Sequence, residues 1–148
     1  MKIALVTGGA TGIGSATVQE LVSQGIAVAF QYSGSEEQAA KLESQLLKKE
    51  FKAKSFHADL SKEESAKDLV RKVEKDFGSI DILINNAGLM TNASIVDMSE
   101  ELWEETIQVN LSAIFRLVKF CAPNMIRNKW GRIINISSQV ALTGSANH

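Results

Sequence analysis

Thr7-Gly8-Gly9-Ala10-Thr11-Gly12-Ile13-Gly14 joins two segments of opposite periodicity. Before it, Lys2–Thr7 is a short β-rich apolar run that stops at the glycines and reads as a buried strand. After it, Ile13, Thr17 and Leu21, with Val18 and Val22, recur at helical spacing up to Gln24, and Gly25 stands where a helix C-cap belongs. Glycines let a turn approach a phosphate without a Cβ in the way. The helix start behind them offers free N–H donors and the positive end of the helix dipole. Strand, glycine loop and helix therefore predict a phosphate-binding βα unit. The plainer alternative is a loop whose glycines only turn the chain.

The rest of the chain repeats the alternation. Ala27–Gln31 is a second strand, and Ser35-Glu36-Glu37-Gln38 is a capping-box pattern ahead of a helix with Ala39, Leu42 and Leu46 on one face. Ala53–His57 is a third strand. Ser61-Lys62-Glu63-Glu64 repeats the capping box before a helix carrying Ala66, Leu69, Val70, Val73 and Phe77. Ile80–Asn85 is a near-continuous apolar run, as expected of a strand buried on both faces. A long helical region follows from about Ser99 to Asn128, with a break expected near Asn110, and Gly131 leads into a fifth strand, Arg132–Ile136. Alternating β and α with short connections predicts an α/β fold, a doubly wound parallel sheet of about five strands, in one domain over residues 1–148.

Composition excludes several classes. A net charge of −1 offers no attraction to nucleic acid or anionic lipid. No apolar run approaches the ~20 residues that cross a bilayer, and Ile3–Val6 is too short for a signal peptide. The single cysteine, Cys121, has no internal disulfide partner, which fits a reducing, cytoplasmic location. His57 has no metal-ligand companion, so no metal site is expected.

Gly8 and Gly12 are separated by three residues, and Gly12-Ile13-Gly14 follows; this spacing resembles the Thr-Gly-x-x-x-Gly-x-Gly motif of the short-chain dehydrogenase/reductase family. His57-Ala58-Asp59-Leu60, Asn85-Asn86-Ala87-Gly88, Asn110 and Ser138 match further family features in order. The resemblance covers the whole chain and implies a Rossmann-type fold binding a nicotinamide dinucleotide. It assigns Thr7, Gly8, Thr11, Gly12, Ile13 and Gly14 to the phosphate loop, Asp59 and Leu60 to the adenine, and Asn86, Ala87 and Gly88 to the wall beside the cofactor. Tyr32 and Ser33 fall where family members carry the acid that selects NAD(H). With no acid until Glu36, NADP(H) is favoured over NAD(H), although no arginine or lysine stands there to clamp a 2′-phosphate. Asn110 and Ser138 match two members of the family's Asn-Ser-Tyr-Lys catalytic group, the Asn backbone holding a water of the proton relay and the Ser positioning a carbonyl. The implied activity is interconversion of a carbonyl and an alcohol, with a 3-oxoacyl thioester the substrate class suggested, in a homodimer or homotetramer.

Plainer readings stand beside these. Asp59 could be a loop acid or cap, Asn85 and Asn86 could serve a turn with Ala87-Gly88, and Ser138 or the adjacent Ser137 could be strand-end polarity. Asn110 shares a helical face with Ile107, Leu111, Ile114 and Val118, so burial there would need a partner. Trp103, Phe115, Phe120 and Trp130 read as core or interface, Cys121 as an inert core residue, and Lys129 and Arg132 as a solvated turn or a contact for an acidic carrier. Ile133, Ile134 and Ile136 would form an open apolar edge if nothing pairs with the fifth strand. The family's catalytic Tyr and Lys have no match. The only tyrosine is Tyr32, no lysine follows Lys129, and Leu142–His148 runs up to where the Tyr is expected, with His148 no substitute. A non-catalytic nucleotide-binding fragment is therefore the alternative function, and the sequence as it stands reads as the N-terminal part of a longer reductase.

Overall fold

The computed structural model describes residues 1–145, so His148 lies outside the described residues. Five strands, β1 (Ile3–Val6), β2 (Ala27–Tyr32), β3 (Ala53–His57), β4 (Ile82–Asn85) and β5 (Arg132–Asn135), form one parallel sheet in the order β3-β2-β1-β4-β5. The helices are α1 (Gly12–Ser23), α2 (Glu36–Leu47), α3 (Glu63–Phe77), α4 (Glu100–Ile107), α5 (Ala113–Arg127) and the short α6 (Val140–Thr143). The strand order grows outward from β1 to β3 and then jumps back across β1 to β4. That reversal makes the doubly wound, Rossmann-type arrangement and opens a crevice between the carboxyl ends of β1 and β4.

Strand alternation builds the two layers of core. Ala4 and Val6 of β1, Val28 and Phe30 of β2 and Ile84 of β4 point to one face, against Val18 and Val22 of α1 and Ala39, Leu42 and Leu46 of α2. Leu5, Ala29 and Leu83 point to the other, against Ala66, Leu69, Val70 and Val73 of α3 and Ala113, Leu117, Cys121 and Met125 of α5. Burial in this apolar layer, and secondarily the Glu74 charge, pushes the Cys121 thiol up to about 12, so it is inert at neutral pH.

Several local expectations are corrected. Neither capping box forms: Ser35 and Lys62 are the N-caps of α2 and α3, and neither side chain accepts a capping bond. The Ser61 hydroxyl is turned to the Asp59 carboxylate, and the first-turn acids Glu36, Glu37, Glu63 and Glu64 face the helix dipoles instead. In α1 the buried stripe is Gly14, Val18 and Val22, while Ile13 is exposed.

The helix from Glu100 to Arg127 does not break at Asn110. It passes through a π turn, Gln108–Ser112, which rotates the later residues relative to the earlier ones. The core stripe of α5 is consequently Ala113, Leu117, Cys121 and Met125, and the face expected from Ile107, Leu111, Ile114 and Val118 is not the buried one. Leu111 and Asn110 are both exposed. Among the aromatics, Phe120 packs on the core, whereas Trp103 and Phe115 are exposed, and Trp130 is half-buried beneath Lys2, whose Nζ lies 3.6 Å from the ring centre. Ile133, Ile134 and Ile136 keep 39–46% of their surface exposed, because β5 is an edge strand that no described helix covers.

Phe30 has no exposed surface and joins β2 to α1 and α2. Phe30→Ala is expected to lower unfolding free energy by about 3–5 kcal/mol in urea titrations. A loss below about 1 kcal/mol would show that this layer does not carry the fold.

Candidate cofactor and active site

The carboxyl ends of β1 and β4 are joined through one hydroxyl. Thr7 is buried, and its Oγ1 accepts the amide N–H groups of Asn86 and Ala87, each at 3.0 Å, while donating to the Ile84 carbonyl at 3.4 Å. A hydroxyl has one donor and two acceptor positions, so Thr7 is fully used. Valine would match its shape and supply none of these bonds. From the other side the Asn86 amide donates to the Thr7 and Gly8 carbonyls at 3.0 and 3.1 Å. The glycine loop is thus fixed to the end of β4 by bonds within the chain.

Gln31 fixes it to β2 and β3. Its side-chain oxygen accepts the Gly8 N–H at 3.0 Å and its amide donates to the Ala58 carbonyl at 2.7 Å, while its own carbonyl accepts the Gly9 N–H at 2.9 Å. Sequence reading missed Gln31; the available signal is one polar residue near the end of an otherwise apolar strand. Glycine is required at Gly14 by this closeness and at Gly12 by its backbone angle. A Cβ on Gly14 would collide with the Gly8 carbonyl and the Asn86 amide, and Gly12 sits at φ +52° with open space around it.

Behind the loop, α1 presents an uncapped positive end. Thr11 is its N-cap without a side-chain bond, and the first turn holds no acid. The first turns of α2, α3 and α4 each hold two acids, so α1 alone of these four is left open to an external anion.

A cleft of about 230 Å³ opens over this loop. Gly8, Ala10, Thr11 and Gln31 form its floor; Tyr32, Ser33, Ser35, Asp59 and Leu60 form one wall; Ala87, Gly88, Leu89, Glu105 and Val109 form the other. Tyr32 stands edge-on to His57, with ring centres 5.5 Å apart. The Asp59 carboxylate accepts the Ser61 hydroxyl and amide at 2.7 and 3.0 Å and faces Lys62 Nζ at 3.3 Å. The Ser61 bonds, then Lys62, hold its carboxyl below the ordinary carboxylate range. Asp59 is therefore both a turn acid and a wall of the cleft.

Asn110 projects from the π turn to Leu89, accepting its N–H at 2.7 Å and donating to its carbonyl at 2.8 Å. An amide paired in this way fastens the chain leaving β4. Asn85 lies one strand position earlier and bonds Asn135 of β5 at 2.8 Å, so Asn85 ties strands while Asn86 ties the loop. Ser138 follows β5 and accepts the Val140 N–H at 3.3 Å at the start of α6. Lys129 and Arg132 lie at the opposite end of β5, where Arg132 faces the Trp130 ring, far from the cleft rather than at its mouth. A larger open hollow of about 580 Å³ beside α2 is lined by Glu43 and Ser55, but Glu43 there already accepts the Ser55 N–H and hydroxyl at 2.7 and 2.5 Å.

The short chain dehydrogenase family matches residues 2–148. The chain belongs to this family. Among short-chain dehydrogenase relatives, it is 33% identical over 144 residues to the 3-oxoacyl-[acyl-carrier-protein] reductase FabG of Staphylococcus epidermidis, covering 97% of this chain and 59% of that protein. It is 40% identical over 145 residues to nodulation protein G of Azospirillum brasilense, covering 98% and 59%. The chain therefore spans about three-fifths of these relatives' length. A blue fluorescent protein from a metagenomic library, solved with NADPH, superposes with TM-score 0.91 at 32% identity, over 99% of this chain and 60% of that one. A mutant short-chain dehydrogenase/reductase of Serratia marcescens gives 0.88 at 34% identity, over 95% and 56%.

Two outcomes follow from this geometry. Thr7→Val leaves the Asn86 and Ala87 N–H groups unpaired and is expected to cost about 1–3 kcal/mol in denaturant unfolding, with Thr7→Ser near wild type. Equal stability of the two variants would contradict the assignment. Folding lowers the Asp59 pKa, so its stabilisation is complete above the unfolded carboxyl value of about 3.9 and lost as pH falls through the folded value. Asp59→Asn should flatten the acid limb of the Tm–pH profile; parallel limbs would show that Asp59 contributes nothing there.

Proposed function

We propose that the cleft binds NADP(H) and that these residues form the cofactor-binding part of an oxidoreductase interconverting a carbonyl and an alcohol, with a 3-oxoacyl thioester as the suggested substrate class. The observation that carries this reading is the acid-free N-terminus of α1 behind a glycine cradle pinned by Thr7, Asn86 and Gln31. In it, the N–H groups from Thr11 to Gly14 hold the pyrophosphate, Asp59 and Leu60 flank the adenine, and Ala87 and Gly88 line the path toward the nicotinamide. When bound, the dihydronicotinamide supplies a hydride to the carbonyl carbon. Ser138 holds the carbonyl oxygen, and Asn110 keeps Leu89 and the π turn in place beside it. The names of the relatives support the substrate class, and the NADPH in the superposed protein supports the cofactor.

The choice of NADP(H) rests on Tyr32, Ser33 and Ser35, which bring hydroxyls and no carboxylate to the adenosine wall. A non-catalytic nucleotide-binding role is the second reading, favoured by one observation: the only tyrosine in residues 1–148 is Tyr32, on that same wall, so these residues hold no tyrosine to protonate an alkoxide.

Titrating the 148-residue chain with NADPH by fluorescence is expected to show saturable binding, abolished by Gly14→Val and weakened at least about tenfold by Tyr32→Asp, with NADH binding retained in the latter. With a 3-oxoacyl thioester the same chain should show no measurable NADPH consumption. Indifference of NADPH binding to Gly14→Val would sink the cofactor reading. Turnover at an ordinary enzymatic rate would place the general acid within these residues.

A further inference from the structure

Arg116 belongs to neither wall of the cleft and to no motif, yet it touches the supports of both. Its guanidinium extends from α5 and donates through Nη1 to the Ser61 carbonyl at 2.9 Å and through Nη2 to Gln108 Oε1 at 2.6 Å. Ser61 is the residue whose amide and hydroxyl orient the Asp59 carboxylate on the adenosine wall. Gln108 opens the π turn that carries Asn110, and Asn110 holds Leu89 on the opposite wall. One planar cation thus spans from Asp59 to Leu89 through two short relays.

We infer that Arg116 is a positioning residue that sets the separation of the two cleft walls and couples adenosine-side occupancy to the Asn110 clamp on Leu89. The inference rests on the dinucleotide reading of the cleft. The fork geometry suits the task. A guanidinium directs its N–H groups along fixed diverging lines, so two acceptors on separate elements are held at a set spacing. A lysine ammonium has three donors but no rigid fork, and its flexible stem does not fix the spacing of two acceptors. The π turn is the element that can respond, since its backbone ladder departs from the regular helix on either side. Removing the guanidinium leaves α5 docked. Leu117 and Cys121 are buried beneath it, and Lys119–Glu63 and Asn124–Glu74 still join it to α3.

The test uses 2′,5′-ADP, the adenosine half of NADPH, which reaches only the Asp59 wall, and reads hydrogen exchange at the Leu89 amide, which is bonded to Asn110. In the wild-type chain, saturating 2′,5′-ADP is expected to slow Leu89 exchange. Arg116→Met should abolish that response and weaken 2′,5′-ADP and NADPH binding roughly tenfold. Gln108→Leu should abolish the Leu89 response while changing 2′,5′-ADP affinity less than about threefold. Arg116→Lys should recover part of the affinity and none of the response. A purely structural role would raise Leu89 exchange in the free variant and leave the ligand-induced slowing intact, which overturns the inference. So would unchanged affinity and response in Arg116→Met. If wild type binds neither 2′,5′-ADP nor NADPH, the cofactor reading fails and takes this inference with it; binding in wild type with an unaltered Arg116→Met fails the inference alone.

Discussion

The rest of the site depends on the meeting of β1 and β4 at the Thr7 hydroxyl. A parallel sheet that winds outward in both directions leaves its two central strands ending side by side with no connection between them. The gap is a binding crevice only if its backbone is held open and oriented. Thr7 Oγ1 does this from within by taking the N–H groups of Asn86 and Ala87, which would otherwise face an apolar layer unpaired. Once that corner is fixed, Asn86 and Gln31 complete the fastening of the glycine loop, and the first turn of α1 is aimed into the crevice with its donors free. Bonds made by the chain itself to hold the loop reduce the ordering cost that binding would otherwise carry.

The second organising feature is the π turn at Gln108–Ser112. A regular helix across this region would have kept Asn110 on one face with Ile107, Leu111, Ile114 and Val118. The local change of winding turns Asn110 outward to Leu89 while bringing Ala113, Leu117, Cys121 and Met125 under the sheet. One irregularity therefore serves both packing and the site, and Arg116 braces it against the loop after β3.

Much of this was legible in the residues. The strand readings fall within two residues of every observed strand, most directly for β1, β2 and β4, whose near-continuous apolar runs follow from burial on both faces. The glycine spacing located the loop, since only residues without a Cβ fit where Gly14 meets Gly8 and Asn86. What stayed hidden depends on winding and on long-range partners. The π turn has no composition signal, so the buried face of α5 differs from the one regular helical spacing predicts. Ser35 and Ser61 have capping residue types, but whether a hydroxyl caps a helix or serves a neighbouring carboxylate is decided by geometry. Gln31 reaches Gly8 and Ala58, 23 and 27 positions away, and Arg116 reaches Ser61, 55 positions away, which no local pattern encodes.

The most direct measurement is an amide chemical-shift map of the 148-residue chain during titration with NADPH. The account predicts the largest shifts at Gly8, Thr11–Gly14, Tyr32–Ser33, Asp59–Leu60 and Ala87–Leu89, with Glu43 and Ser55 beside α2 unmoved. Shifts centred on that outer hollow, or saturable binding with an unmoved glycine loop, would contradict the claim that the β1–β4 crevice is the cofactor site.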